Sequence, residues 1–116
     1  MSTPEPTDPL ARHAQVVEAL GRSVLDGPGV LEPETRRAAA AGEGVPERFA
    51  AYVETIHQHA YRITDGVVAG LLEDGASEDE VFEMTVAAAF GAARERFDAG
   101  LRALREAKAL PDVGGA

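Results

Sequence analysis

Apolar residues recur along this chain at spacings of three and four, and no stretch alternates with a period of two. That rhythm belongs to amphipathic helices and argues against strands. Asp8 and Pro9 form an N-cap and first-turn pair. Leu10, His13, Val17, Leu20 and Val24 then share one face until Gly27-Pro28-Gly29 stops the helix. A short helix is predicted over 33–41, ended by Gly42; its alanine run has strong helix propensity and little to bury. Pro46 opens a third helix, with Phe49, Val53, Ile56 and Ala60 on its apolar face.

Thr64 caps a fourth, short helix carrying Val67, Val68, Leu71 and Leu72, and Gly75 ends it as a left-handed residue. Ser77 and Glu80 form a capping box that opens the longest helix, over about 78–107. Phe82, Val86, Phe90, Ala93, Phe97, Leu101 and Leu104 give this helix an apolar stripe. Ala87 to Ala89 and Gly91 to Ala93 add a small-residue surface where another backbone can come close, and assembly of copies is expected there. Arg94, Asp98, Arg102 and Glu106 form a ladder of alternating charge. Exposed pairs of this kind contribute only about 0.3 to 0.5 kcal/mol each, so the ladder reads as a solvated or interface face.

The 116 residues suffice for one domain. Residues 8–110 are expected to form a single all-α domain of four to six helices. The Pro- and Thr-rich segment 1–7 is expected to be disordered, and 111–116 to be a flexible tail. With four Phe, two Tyr and no Trp, the core must be built from small, closely approaching helices. A core that thin gains stability by oligomerising, so a homo-oligomer is expected.

The net charge of −9 and the lack of a basic run speak against nucleic-acid and anionic membrane partners. No apolar segment approaches the roughly 18 residues that span a bilayer, and residues 1–9 lack the pattern of a signal peptide. A cytoplasmic location is the expectation. Because the chain has no cysteine, disulfides, thiolate catalysis and cysteine-ligated metals are all excluded.

His57, Tyr61 and Asp65 are spaced four apart and could supply a general base, a phenol donor and an orienting carboxylate around one pocket. The competing reading is a half-buried His and Tyr satisfying each other at a helix end. His59 points roughly 200° away from His57 on a helix, so the two share a metal only if symmetry copies bring them together. No cofactor and no metal are expected. His13 reads as a packed core or interface histidine. Glu78, Asp79, Glu80 and Glu83 read as first-turn charges complementing a helix dipole. Gly66, Gly70, Gly91 and Gly100 have the wrong spacing for a phosphate loop and read as helix-contact positions.

The segment from Tyr61 to about Leu104 resembles the carboxymuconolactone decarboxylase and AhpD-like family. The likeness is carried by the run Leu71 to Glu83 around Gly75 and Ser77, and it continues through Val86 to Gly91. It implies a compact helical domain that forms homo-oligomers. The peroxidase branch is similar to an enzyme with a C-x-x-C pair and a histidine on the helix before the Gly turn. Counting back from Gly75, those places fall near Ala60, Ile63 and Val67. None can act as a thiolate or a base, so neither the peroxidase nor the decarboxylase activity carries over. The expectation is a non-peroxidase, AhpD-like accessory protein that binds another protein or a small molecule. The alternative is a cysteine-independent acid–base enzyme acting on a small metabolite through His57, Tyr61 and Asp65.

Overall fold

The computed structural model describes residues 9–109. The Asp8 cap, the N-terminal segment 1–7 and the tail 111–116 lie outside the described residues. Within them the chain forms five α-helices and one 3₁₀ turn: α1 (Pro9–Asp26), α2 (Pro33–Ala41), α3 (Glu47–His59), the turn Ala60–Arg62, α4 (Asp65–Glu73) and α5 (Glu78–Ala109). The all-α class expected from the periodicity holds among these residues.

Helix α5 is the organiser. Its 32 residues extend over about 48 Å at 1.5 Å per residue. It begins at the capping box, where the Ser77 amide donates to Glu80 Oε1 at 2.9 Å and the Glu80 amide donates back to Ser77 Oγ at 3.1 Å. The preceding turn closes as expected. Gly75 has φ 102°, a left-handed conformation that a side chain would disfavour, and the Gly75 and Ala76 amides donate to Leu72 and Leu71.

Helix α2 corrects the expectation that it buries little. Ala39 is fully buried, and α2 packs along α5 against Ala87, Ala88, Gly91 and Ala92. Of the small-residue surface assigned to contacts between copies, Ala89 and Ala93 stay exposed, while Ala87, Ala88, Gly91 and Ala92 are thus taken up within the chain. Gly91 makes this possible: a Cβ there would stand 1.9 Å from the Ala40 carbonyl oxygen. Helix α3 fills the rest of this side of α5 with Phe49, Tyr52, Val53 and Ile56. Tyr52 keeps its hydroxyl satisfied by donating to Thr85 Oγ1 at 2.6 Å, while Thr85 donates to the Val81 carbonyl.

Helix α1 spans the expected residues but turns a different face inward. Gly21 is buried beneath the Phe90 ring, and Ala14, Val17, Val24 and Leu25 flank it half-buried. His13 and Leu20, expected on the packed stripe, are exposed. Close approach at a glycine selects the docking face here, because the missing side chain lets an aromatic ring sit on the backbone. Arg94 of α5 clamps α1 through an ion pair with Glu18, and only its i,i+4 partner Asp98, at 3.9 Å, belongs to the expected ladder. At the other end of α1, Arg36 is 4% exposed and donates from Nη1 to the Val24 carbonyl at 3.0 Å. A cation is favourable at that helix C-terminus.

Candidate functional site

His57, Tyr61 and Asp65 fall on three different elements, α3, the 3₁₀ turn and α4. Helix α3 ends at His59, which leaves helical geometry at φ −146°, ψ 53°, and the chain then tightens into the 3₁₀ turn Ala60–Arg62. The four-residue spacing from His57 to Tyr61 therefore crosses a break and no longer places both side chains on one face. Ala60, expected on the apolar face of α3, is exposed in this turn.

His57 faces α2. Its Nε2–H donates to the Ala39 carbonyl at 2.8 Å, which fixes the tautomer with the proton on Nε2 because a carbonyl only accepts. Gly42, left-handed at φ 76°, turns the chain beside the same ring, and a Cβ there would touch the imidazole at 3.4 Å. The contact adds a second donor at the C-terminus of α2, where the Gly42 amide bridges the Ala38 and Ala39 carbonyls at 2.8 and 3.2 Å. The His57 carbonyl in turn accepts from Arg96 Nη2 of α5 at 3.2 Å. A histidine with one ring nitrogen committed in this way locks α2, α3 and α5 together.

Tyr61 is 78% exposed. It meets His59 edge to face, with ring centroids 5.9 Å apart, and Arg62 stacks over its ring at 5.6 Å. Asp65 lies exposed in the first turn of α4, where Thr64 is the cap: Thr64 Oγ1 accepts from the Val67 amide at 3.4 Å. The base, the phenol and the carboxylate therefore do not converge on one cavity. Among the described residues no three His, Asp or Glu side chains gather with the geometry to hold a metal ion. Of the three positions that the AhpD-like resemblance marks, Ala60 is exposed, Ile63 is half-buried and Val67 is exposed.

What the surface does carry is an apolar face on α5, roughly opposite the side packed by α2 and α3. A groove of about 490 Å³ lies between α4 and α5, lined by Tyr52, Ile63, Val68, Leu72, Val81 and Phe82. A second groove of about 290 Å³ lies between α1 and α5, lined by Val17, Leu20, Phe90, Ala93 and Phe97 with the Arg94 side chain. Phe82 stands beside the first groove with 67% of its surface exposed, and Leu20, Val16 and Leu104 are exposed as well. The sequence stripe Phe82 to Leu104 is thus real, but it marks the open side of α5 and not the core. Only Leu101 on it is buried.

Charge follows the same helix. From Ile63 to Ala93 the chain has no basic residue, while Asp65, Glu73, Asp74, Glu78, Asp79, Glu80 and Glu83 are acidic. Beyond Ala93, the five basic residues Arg94, Arg96, Arg102, Arg105 and Lys108 outnumber the four acids Glu95, Asp98, Glu106 and Asp112. Two of the acids have structural tasks. Glu80 pairs with Arg48 at 2.7 Å, and its pKa is lowered, chiefly by the hydrogen bond from the Ser77 backbone. Glu83, read from sequence as a helix-dipole charge, instead reaches back across the fold and accepts from the Val30 and Leu31 amides at 2.8 and 3.0 Å. It anchors the loop between α1 and α2. No signal in the sequence pairs a glutamate with amides more than 50 residues away.

No family model, no curated protein and no solved structure matches this chain. Among the described residues no helix is long and apolar enough to cross a membrane.

Proposed function

We propose that this chain is a non-peroxidase, AhpD-like helical protein that works by association, as a homo-oligomeric accessory or scaffold subunit. The carrying observation is the contrast between its two candidate surfaces. His57 commits Nε2–H to the Ala39 carbonyl, whereas Phe82, Leu20 and Leu104 stand exposed along one face of α5 and its neighbour α1. An exposed apolar face is the feature that marks an interaction surface. The Gly75 turn and Ser77 capping box support kinship with the AhpD-like scaffold, and the absence of cysteine removes that scaffold's thiol chemistry. The acid–base alternative needs His57, Tyr61 and Asp65 to face one pocket, and their three orientations argue against it.

Light scattering coupled to gel filtration tests the reading. The expected mass is an integral multiple, two or more, of the 12.2 kDa of one chain. A mass of one chain across the micromolar range would refute self-association.

A further inference from the structure

We infer that the open face of α5 is covered by a second copy of this chain, with the two α1–α5 pairs packed antiparallel about a two-fold axis near Ala93. The inference rests on the proposed self-association and adds which face is used and in what orientation.

Phe82 and Leu104 stand eleven residues on either side of Ala93, about three helical turns at 3.6 residues per turn, so all three lie on nearly the same face. All three are exposed. A two-fold axis through Ala93 therefore brings Phe82 of one copy toward Leu104 of the other, and the small Ala93 side chains allow close approach at the crossing. An isologous contact requires a surface that matches itself in this way. Helix α1 contributes Leu20 and Val17 to the same groove at Ala93, so each copy offers a two-helix layer, and two such layers make a four-helix packing.

The end of α5 near Phe82 is flanked by exposed Glu73, Asp74, Glu78 and Asp79; at the end near Leu104 exposed Lys108 and Arg105 flank the face, while Arg102 and Glu106 lie on the far side of the helix. Arg102, Arg105 and Lys108 form no ion pair among the described residues. Antiparallel docking sets the acidic end of each copy against the basic end of the other, at both ends at once. Parallel docking would set acid against acid and base against base, which disfavours association. The complementarity thus selects both the occupant and its direction.

Because the chain has no cysteine, single thiols report on this directly. Phe82→Cys, Ala93→Cys and Leu104→Cys replace exposed residues, and circular dichroism verifies that each variant keeps its helices. A short bismaleimide should cross-link Ala93→Cys to itself. It should also join Phe82→Cys to Leu104→Cys in a mixture at least five times more efficiently than it joins either variant to itself. The mixed product should decline in 0.5 M salt (about a 4 Å screening length) as the end charges are screened. Preferential self-linking of Phe82→Cys in an oligomeric sample overturns the antiparallel arrangement. An oligomer with no cross-link at any of the three positions overturns the choice of face, and both results leave the proposed self-association standing. A monomeric sample with no cross-link overturns both.

Discussion

Gly91 meets the backbone of Ala40 so closely that a Cβ at position 91 would lie 1.9 Å from the Ala40 carbonyl oxygen. This contact sets the separation of α2 and α5, the most extensive helix pair of the fold. The carbonyl belongs to a helix backbone and cannot swing aside, so α2 itself would have to move. We predict that Gly91→Ala costs about 2 to 3 kcal/mol, as overpacking does in a close-packed core. Thermal denaturation should show a Tm lower by roughly 10 °C for a domain of this size.

His57 and Tyr61 should respond oppositely to mutation. His57→Ala removes a donor to the Ala39 carbonyl and should cost about 1 to 2 kcal/mol in urea denaturation. Tyr61→Phe changes only an exposed hydroxyl and should stay within about 0.5 kcal/mol of wild type. Equal losses in the two variants would mean that the residues work as a unit after all.

Glu83→Ala should release the loop that joins α1 to α2. Its carboxylate holds the Val30 and Leu31 amides, and hydrogen bonds to a charged acceptor are worth about 1.5 to 3 kcal/mol each. Rehydration of the exposed Val30 amide, and in part of the half-buried Leu31 amide, reduces the net loss to about 2 kcal/mol. Hydrogen exchange at Val30 and Leu31 should accelerate, while exchange at Met84 and Ala88 in the core face of α5 should change only with global stability.

Glu80 makes part of the stability depend on pH. The Ser77 backbone hydrogen bond, followed by the charge of Arg48, favours its ionised form and lowers its pKa in the folded state. A carboxylate with a depressed folded pKa stabilises fully above its unfolded pKa, and that contribution is lost as pH falls through the lower folded value. Glu80→Gln should therefore weaken the protein at pH 7 and flatten the acid limb of its stability profile between about pH 5 and pH 3. An unchanged slope in that window would show that the ionised form contributes nothing.

The helix boundaries were legible in the sequence wherever local chemistry punctuates the chain. Pro33 and Gly42 bound α2, Thr64 caps α4, and Gly75 with Ser77 marks the passage into α5. The choice of faces was less legible, because both sides of α5 are apolar. The bulky stripe is the more conspicuous pattern, yet the fold packs the alanine and glycine side against α2, where Gly91 lets the Ala40 backbone come close. The same effect rotated α1 onto Gly21. The surroundings of the candidate triad were hidden for a different reason. Nothing at His59 or Ala60 is a glycine or a proline, so the helix break that parts His57 from Tyr61 has no local signature. The link from Glu83 to Val30 and Leu31 depends on tertiary proximity alone.

Sedimentation equilibrium of the wild type beside Phe82→Lys tests the central claim, association through the open face of α5, most directly. Phe82 is largely exposed within one chain, so a charge there should leave the helices and the monomer fold intact, while it sets a cation against the basic end of the second copy. The expected result is a wild type heavier than one chain and a Phe82→Lys variant whose dissociation constant rises at least tenfold, with an unchanged circular dichroism spectrum. A variant that associates as strongly as the wild type would contradict it.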